Sequence, residues 1–196
     1  MCLFVTIKMK IDKKAFYYPE DFIKILNLAS EKQKFTLNCM INTGARINEI
    51  YHAELKDLDN ERKNLYLRIT KTKAMLGEKK PSPRIIVLSN KFYNYFKKNK
   101  KHFLILSRNA TRIMMQKFNK KIGLNNYKDY SSHNLRKTFG SWMLSLGVDG
   151  FKLAQHLGHS TEMLRTHYAS PDIFNIKDKL IMKEILDNLP ERLGAR

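Results

Sequence analysis

Residues 131–147 read SSHNLRKTFGSWMLSLG. The serines at 131 and 132 carry oxygens suited to the orphan N–H groups of a helix start, and Gly147 has the backbone freedom that ends one, so the stretch predicts a helix over His133–Leu146. His133 and Arg136 stand three apart at its start. Both side chains then project from nearly one face, at a helix end that itself favours an anion. That geometry suits a phosphate. An H-x-x-R pair alone is a common helical spacing and on its own reads first as a plain surface feature, so the rest of the chain has to decide.

Working outward, the pattern stays helical on both sides. Downstream, short helices are expected at Phe151–Leu157, Thr161–Tyr168 and Ile176–Leu189, and upstream at Lys91–Lys98 and Ala110–Ile122. Pro19, Glu20 and Asp21 make a helix start with proline at the first position and acids in the first turn, and Phe22, Ile25, Leu26 and Ala29 follow at helical spacing. A second apolar segment, Phe35–Ile41, runs to Gly44, which suits a helix C-cap. The next short helix, Arg46–Leu55, then places Arg46 at its start. Between Leu55 and Leu88 the period shortens. Leu65, Leu67 and Ile69 alternate with Tyr66 and Arg68 after the turn-rich DNERKN, and Ile85–Leu88 follows two prolines. The fold class expected is mainly α with a small antiparallel sheet of about three strands.

With 196 residues, 43% of them apolar and 28% charged, the chain suits one globular domain and not a disordered or low-complexity segment. Charge is the abnormal property. Lys and Arg number 37 against 18 Asp and Glu, a formal net charge of +19. Residues 62–128 hold nineteen basic groups and a single acid, Glu78, whereas the flanking thirds are nearly balanced. A lysine-rich genome would raise lysine everywhere, so a face that tracks phosphates accounts better for one basic third. The segment KTKAMLGEKKPSP between the second and third strands is long for a hairpin connection and carries four lysines. Two cysteines, Cys2 and Cys39, give neither a disulfide framework nor metal spacing and suggest a reducing, cytoplasmic setting. No run approaches the roughly 18 apolar residues of a membrane span, so no membrane partner is expected.

Beyond the central helix lie Gly158-His159-Ser160 and, nine residues past His159, Tyr168 in THYASP. A tyrosine hydroxyl attacks phosphorus competently when its proton is removed and the phosphate charge is neutralised. Any one of nine tyrosines is more often a packed side chain, so order and spacing carry the argument. TGARINEI, ITKTK between two strands, HNLRKTF, LGHS and THY, in this order, resemble the catalytic domain of the tyrosine recombinases, the phage-integrase-type site-specific recombinases, over about residues 19–170.

Carried over motif by motif, the resemblance implies Arg46 as the first arginine, Lys71 as the strand-loop lysine, His133 and Arg136 as the second box, His159 as the histidine after Leu-Gly, and Tyr168 as the nucleophile. Glu49, three after Arg46, matches the acidic support residue. The TKT context favours Lys71 over Lys73. His156 and His167 lie near the motif but not directly after the Leu-Gly pair. Lys73, Lys79, Lys80 and Arg84 are expected to contact DNA. The implied reaction is transesterification: two arginines clamp the nonbridging oxygens, Lys71 protonates the departing 5′ hydroxyl, and Tyr168 forms a 3′-phosphotyrosyl link that a partner strand later reverses. The histidines bond the phosphate or pass the tyrosine proton. Bond energy is conserved, so neither ATP, metal nor another cofactor is implied. The resemblance also implies double-stranded DNA as partner and a homo-oligomer on it, a tetramer in the synaptic complex. The apolar residues of 176–189 either dock on a neighbouring subunit or pack back on their own domain.

Two features depart from the pattern. Only 45 residues precede Arg46, so the family's N-terminal DNA-clamping domain is expected to be absent and the chain to form a single catalytic domain, core about 19–170 with a helical tail about 171–196. Lys137 also follows Arg136 where many relatives carry histidine. Two other readings are a non-catalytic DNA-binding remnant and a type IB topoisomerase, which shares the chemistry but needs no partner site.

Overall fold

In the computed structural model, residues 16–68, 83–167 and 173–195 are described. The helix read from SSHNLRKTFGSWMLSLG is α6, Ser132–Ser145. Ser131 caps it: its Oγ accepts the His133 N–H at 3.3 Å, and Asn134 Oδ1 reaches back to the Ser131 N–H at 2.7 Å. Gly147 leaves the helix with φ +86. Leu135, Phe139, Trp142 and Met143 are fully buried, and Gly140 and Ser141, also buried, let neighbours approach the opposite side. The helix is therefore enclosed on nearly all sides, and everything else is arranged around it.

The elements before it are α1 (Pro19–Leu28), α2 (Glu31–Thr43), α3 (Ile47–Tyr51), a 3-10 turn at Leu55–Asp57, strands β1 (Leu58–Asp59), β2 (Asn64–Leu67) and β3 (Arg84–Val87), then α4 (Asn90–Asn99) and α5 (Arg108–Lys121). After it come α7 (Gly150–Leu157), α8 (Thr161–His167), α9 (Ile176–Leu186) and α10 (Leu189–Arg192). The strands form one antiparallel sheet in the order β1-β2-β3, with Leu65 opposite Ile86 and Leu67 opposite Arg84. This is the mainly helical fold with a small sheet that the periodicities indicate. Helix α3 is shorter than Arg46–Leu55, because the chain turns through His52 into the 3-10 segment. Ile69, expected to extend the second strand, lies outside the described residues.

Residues ahead of α1 lock onto α6 through backbone groups. Tyr17 N–H donates to Thr138 Oγ1 at 2.9 Å, and the Trp142 indole N–H donates to the Tyr17 carbonyl at 3.1 Å. Phe22 of α1 meets the Trp142 ring edge-on at 5.8 Å. The tail also packs on its own chain: Met182, Leu186 and Leu189 are buried, and α9 rests on α1, α2 and α6. Ile176 and Leu180 of the tail remain on the outside. No helix among the described residues is long and apolar enough to cross a membrane.

Candidate active site

Three chain segments converge beside the N-terminus of α6. The first is the turn between α2 and α3. Gly44 ends α2 in the left-handed region at φ +59, and a Cβ there would stand 2.3 Å from the Phe139 ring and 2.8 Å from Leu157. Only glycine fits both the conformation and the space. The close approach brings the Gly44 carbonyl to the Arg136 guanidinium and turns the chain so that Arg46 becomes the residue that caps α3.

Arg46 is fixed by the acid three residues on. The Glu49 carboxylate accepts the Arg46 backbone N–H at 2.7 Å and one guanidinium N–H at 2.9 Å. Glu49 is completely buried and holds a second arginine as well: Arg84 donates from Nη1 and Nη2 to its two oxygens, both at 2.8 Å. Such a two-pronged pair suits an arginine and an ionised carboxylate. Arg136 Nη1 lies 4.0 Å from the same carboxylate. Three arginines thus surround one buried acid, an excess of positive charge that an anion would relieve.

Arg136 is itself almost wholly buried, at 1% exposed. Its Nη1 donates to the Gly44 carbonyl at 2.7 Å, and its Nη2 donates to the Leu157 carbonyl and contacts His159 Nε2 at 2.8 Å. A guanidinium is always a donor, so Nε2 of His159 accepts and the ring proton sits on Nδ1. Burial, the two site arginines, His133 and Arg84 together lower the pKa of His159 to about 3, which keeps the imidazole neutral. His159 occupies the turn after α7, where Gly158 takes φ +64 and the His159 N–H bonds the Ala154 carbonyl at 2.9 Å. His133 sits on the exposed side of the first turn of α6, close enough for its charge to oppose protonation of His159.

His156 has a different environment. It is buried, stacks on Phe139 with ring centroids 5.4 Å apart, and places Nε2 at 3.0 Å from the Thr43 carbonyl. Loss of solvation lowers its pKa to about 4. It ties α7 to the end of α2, beneath the site.

The structure therefore brings together Arg46, Glu49, Arg136 and His159, with His133 beside them. Tyr168, Lys71, Lys73, Lys79 and Lys80 lie outside the described residues. Arg84, expected to contact DNA, is 13% exposed, with its guanidinium engaged by Glu49. Strand alternation is the reason. Arg84 and Ile86 share the inward face of β3, whereas Ile85 points to solvent. The RIIV pattern carries that alternation, but which of its two faces turns inward is set by packing. The carbonyls of Gly44 and Leu157, which seat Arg136, leave no side-chain signal at all.

Residues 17–173 match the model of the phage integrase family. The chain belongs to the phage integrase family. Among the relatives of this phage integrase catalytic fold is the tyrosine recombinase XerA of Saccharolobus solfataricus, 28% identical over 162 residues, a match covering 78% of this chain and 52% of the relative. XerA of Pyrococcus horikoshii is 22% identical over 183 residues, covering 85% of this chain and 60% of the relative. The chain thus spans between half and two thirds of the length of these relatives. The fold agrees with that of a Tn1549 transposon integrase solved with transposon right end DNA, at a TM-score of 0.63 and 20% identity, covering 92% of this chain and 68% of the other. It agrees also with a XerA recombinase crystal structure, at a TM-score of 0.59 and 16% identity, covering 86% and 62%. These tyrosine recombinases share the helical architecture with its small sheet.

Proposed function

We propose that this chain is the catalytic unit of a site-specific DNA recombinase that cuts and rejoins strands by transesterification through Tyr168. The observation that carries the reading is the convergence of Arg46 and Arg136 on the buried Glu49, with His159 against Arg136, within a member of the phage integrase family. The two arginines face a phosphate as paired donors, and their charge is strongest in effect where the phosphorus becomes pentacoordinate and gains negative charge. Arg46 is rigid because Glu49 holds both its backbone and its side chain. Arg136 is rigid because two carbonyls seat it.

Burial and the cations around it keep His159 neutral. Its Nε2 accepts from Arg136, and its Nδ1–H donates to a nonbridging oxygen of the phosphate. His133 takes the proton that the Tyr168 hydroxyl releases as it attacks. Lys71 then protonates the departing 5′ hydroxyl, and Lys73, Lys79 and Lys80 meet neighbouring phosphates. Double-stranded DNA is the substrate, and the DNA-bound transposon integrase with the same fold supports that choice. A tetramer on two sites performs the paired exchanges, with residues 1–196 acting as one catalytic domain. No step requires a metal or a nucleotide cofactor.

The test is a covalent adduct. Purified protein is mixed, in EDTA, with supercoiled plasmid bearing the DNA that flanks its own gene. A denaturant-resistant protein–DNA adduct is expected with wild type and absent with Tyr168→Phe. Tight, salt-sensitive binding with no adduct would instead indicate a DNA-binding remnant. Relaxation of plasmids lacking those flanks would indicate a topoisomerase.

A further inference from the structure

We propose that Arg84 is a positioning residue of this site, holding Glu49 so that the carboxylate can orient Arg46, and that it does not itself contact DNA. The inference rests on the recombinase reading above for its catalytic consequence, but its structural part stands on geometry. Arg84 opens β3 on the face turned into the molecule, and both of its terminal nitrogens end on Glu49. The carboxylate is fully buried and receives two further N–H groups, both from Arg46. Its two oxygens are thereby occupied, and only one Arg46 guanidinium N–H is drawn inward.

Removing Arg84 would leave a buried carboxylate short of two donors, which is strongly unfavourable. The cations within reach are Arg46, already bonded to it, and Arg136, 4.0 Å away. Either would turn toward Glu49 and away from a phosphate. Arg84 also touches the segment that carries His159: a Cβ on Gly158 would stand 3.0 Å from Arg84 Nη1. One side chain from the sheet therefore sets the placement of groups from α3 and from the turn after α7.

The experiment compares the full chain as wild type, Arg84→Met, Glu49→Gln, the double variant and Arg84→Lys. Arg84→Met is expected to slow adduct formation about 100-fold, with little change in the DNA concentration that half-saturates the rate. The double variant is expected to be no slower than the worse single variant, because both act through one carboxylate. Losses that multiply would overturn the proposal. Binding to a short duplex of generic sequence across a salt series separates positioning from contact. An unchanged salt slope in Arg84→Met supports positioning, whereas a slope reduced by about one would mark a lost phosphate contact and overturn it.

A third readout does not depend on catalysis. In side-chain NMR with inorganic phosphate, the Arg46 signal is expected to respond in wild type and to lose that response in Arg84→Met. An undiminished response would overturn the proposal. Arg84→Lys keeps the charge without the two-pronged bond and is expected to be intermediate in every readout, which covers the case of a methionine variant that folds poorly. Failure of wild type to form any adduct would count against the recombinase reading alone, since the salt slope and the Arg46 signal still decide the role of Arg84.

Discussion

At residue scale, the site depends on side chains whose environments are unlike their usual ones. Gly44 must stay in the left-handed region and has no room for a methyl group. Gly44→Ala is expected to destabilise the protein by about 2–4 kcal/mol, the combined cost of an unfavourable φ and an overpacked contact, as read in urea unfolding curves. His156 makes stability depend on pH. Its folded pKa of about 4 lies below the unfolded value near 6.5, so the unfolded chain binds the proton first. Stability is complete above pH 6.5 and falls as the pH drops toward 4, by about 3 kcal/mol for this residue. Replacing it as His156→Gln, which keeps a donor but cannot titrate, should flatten that decline by about 1.4 kcal/mol per pH unit. An unchanged slope would show that His156 does not remain neutral in the fold.

At the scale of elements, caps and strand registers carry the functional groups to their places. The reciprocal cap at Ser131 and Asn134 fixes the first turn of α6, which bears His133 and Arg136. Ser131→Ala should cost about 1 kcal/mol in thermal or chemical unfolding and slow adduct formation beyond that stability loss. The serine half of this cap was legible in the sequence, as were the start of α1 and the glycine that ends α2, because caps depend on one or two residues and their own backbone; the return bond from Asn134 is seen only in the structure. The sheet has a second tie that local pattern does not reveal. Arg192 of α10 donates to the carbonyls of Arg62, Lys63 and Leu88, joining the tail to the β1–β2 turn and the end of β3. Arg192→Met should therefore raise amide hydrogen exchange in residues 60–67 while leaving α6 protected, and equal protection in both forms would refute the tie.

At the scale of the whole molecule, the excess charge has two destinations. Some cations of the basic third turn to acids of the first: Arg62 to Asp59, Arg68 to Asp57 and Arg84 to Glu49. Others stay exposed, including Lys97 and Lys98 in the last turn of α4, Lys101 just beyond it, and Arg108, Arg112, Lys117, Lys120 and Lys121 along α5. A surface of this kind repels itself until a polyanion or salt intervenes. Duplex DNA should raise the melting temperature at low salt, and the gain should vanish at high salt. Replacing Lys79 and Lys80 by alanine is expected to weaken binding and lower the salt slope by about two. Identical slopes would show that these lysines do not face DNA.

By itself the sequence determined the fold class, the caps and the order of the motifs, because helix ends, period changes and short boxes are local properties of neighbouring residues. It also placed Arg46, Glu49, His133 and Arg136 on short helices and His159 between two of them. Only the tertiary structure decided what those residues do to one another. The approach of Arg84 and Arg136 to the buried Glu49 and the backbone carbonyls that seat Arg136 join residues 21 to 92 positions apart in the chain. Such pairings arise because a buried charge must find its partner wherever packing brings one, and no local pattern records which one that is.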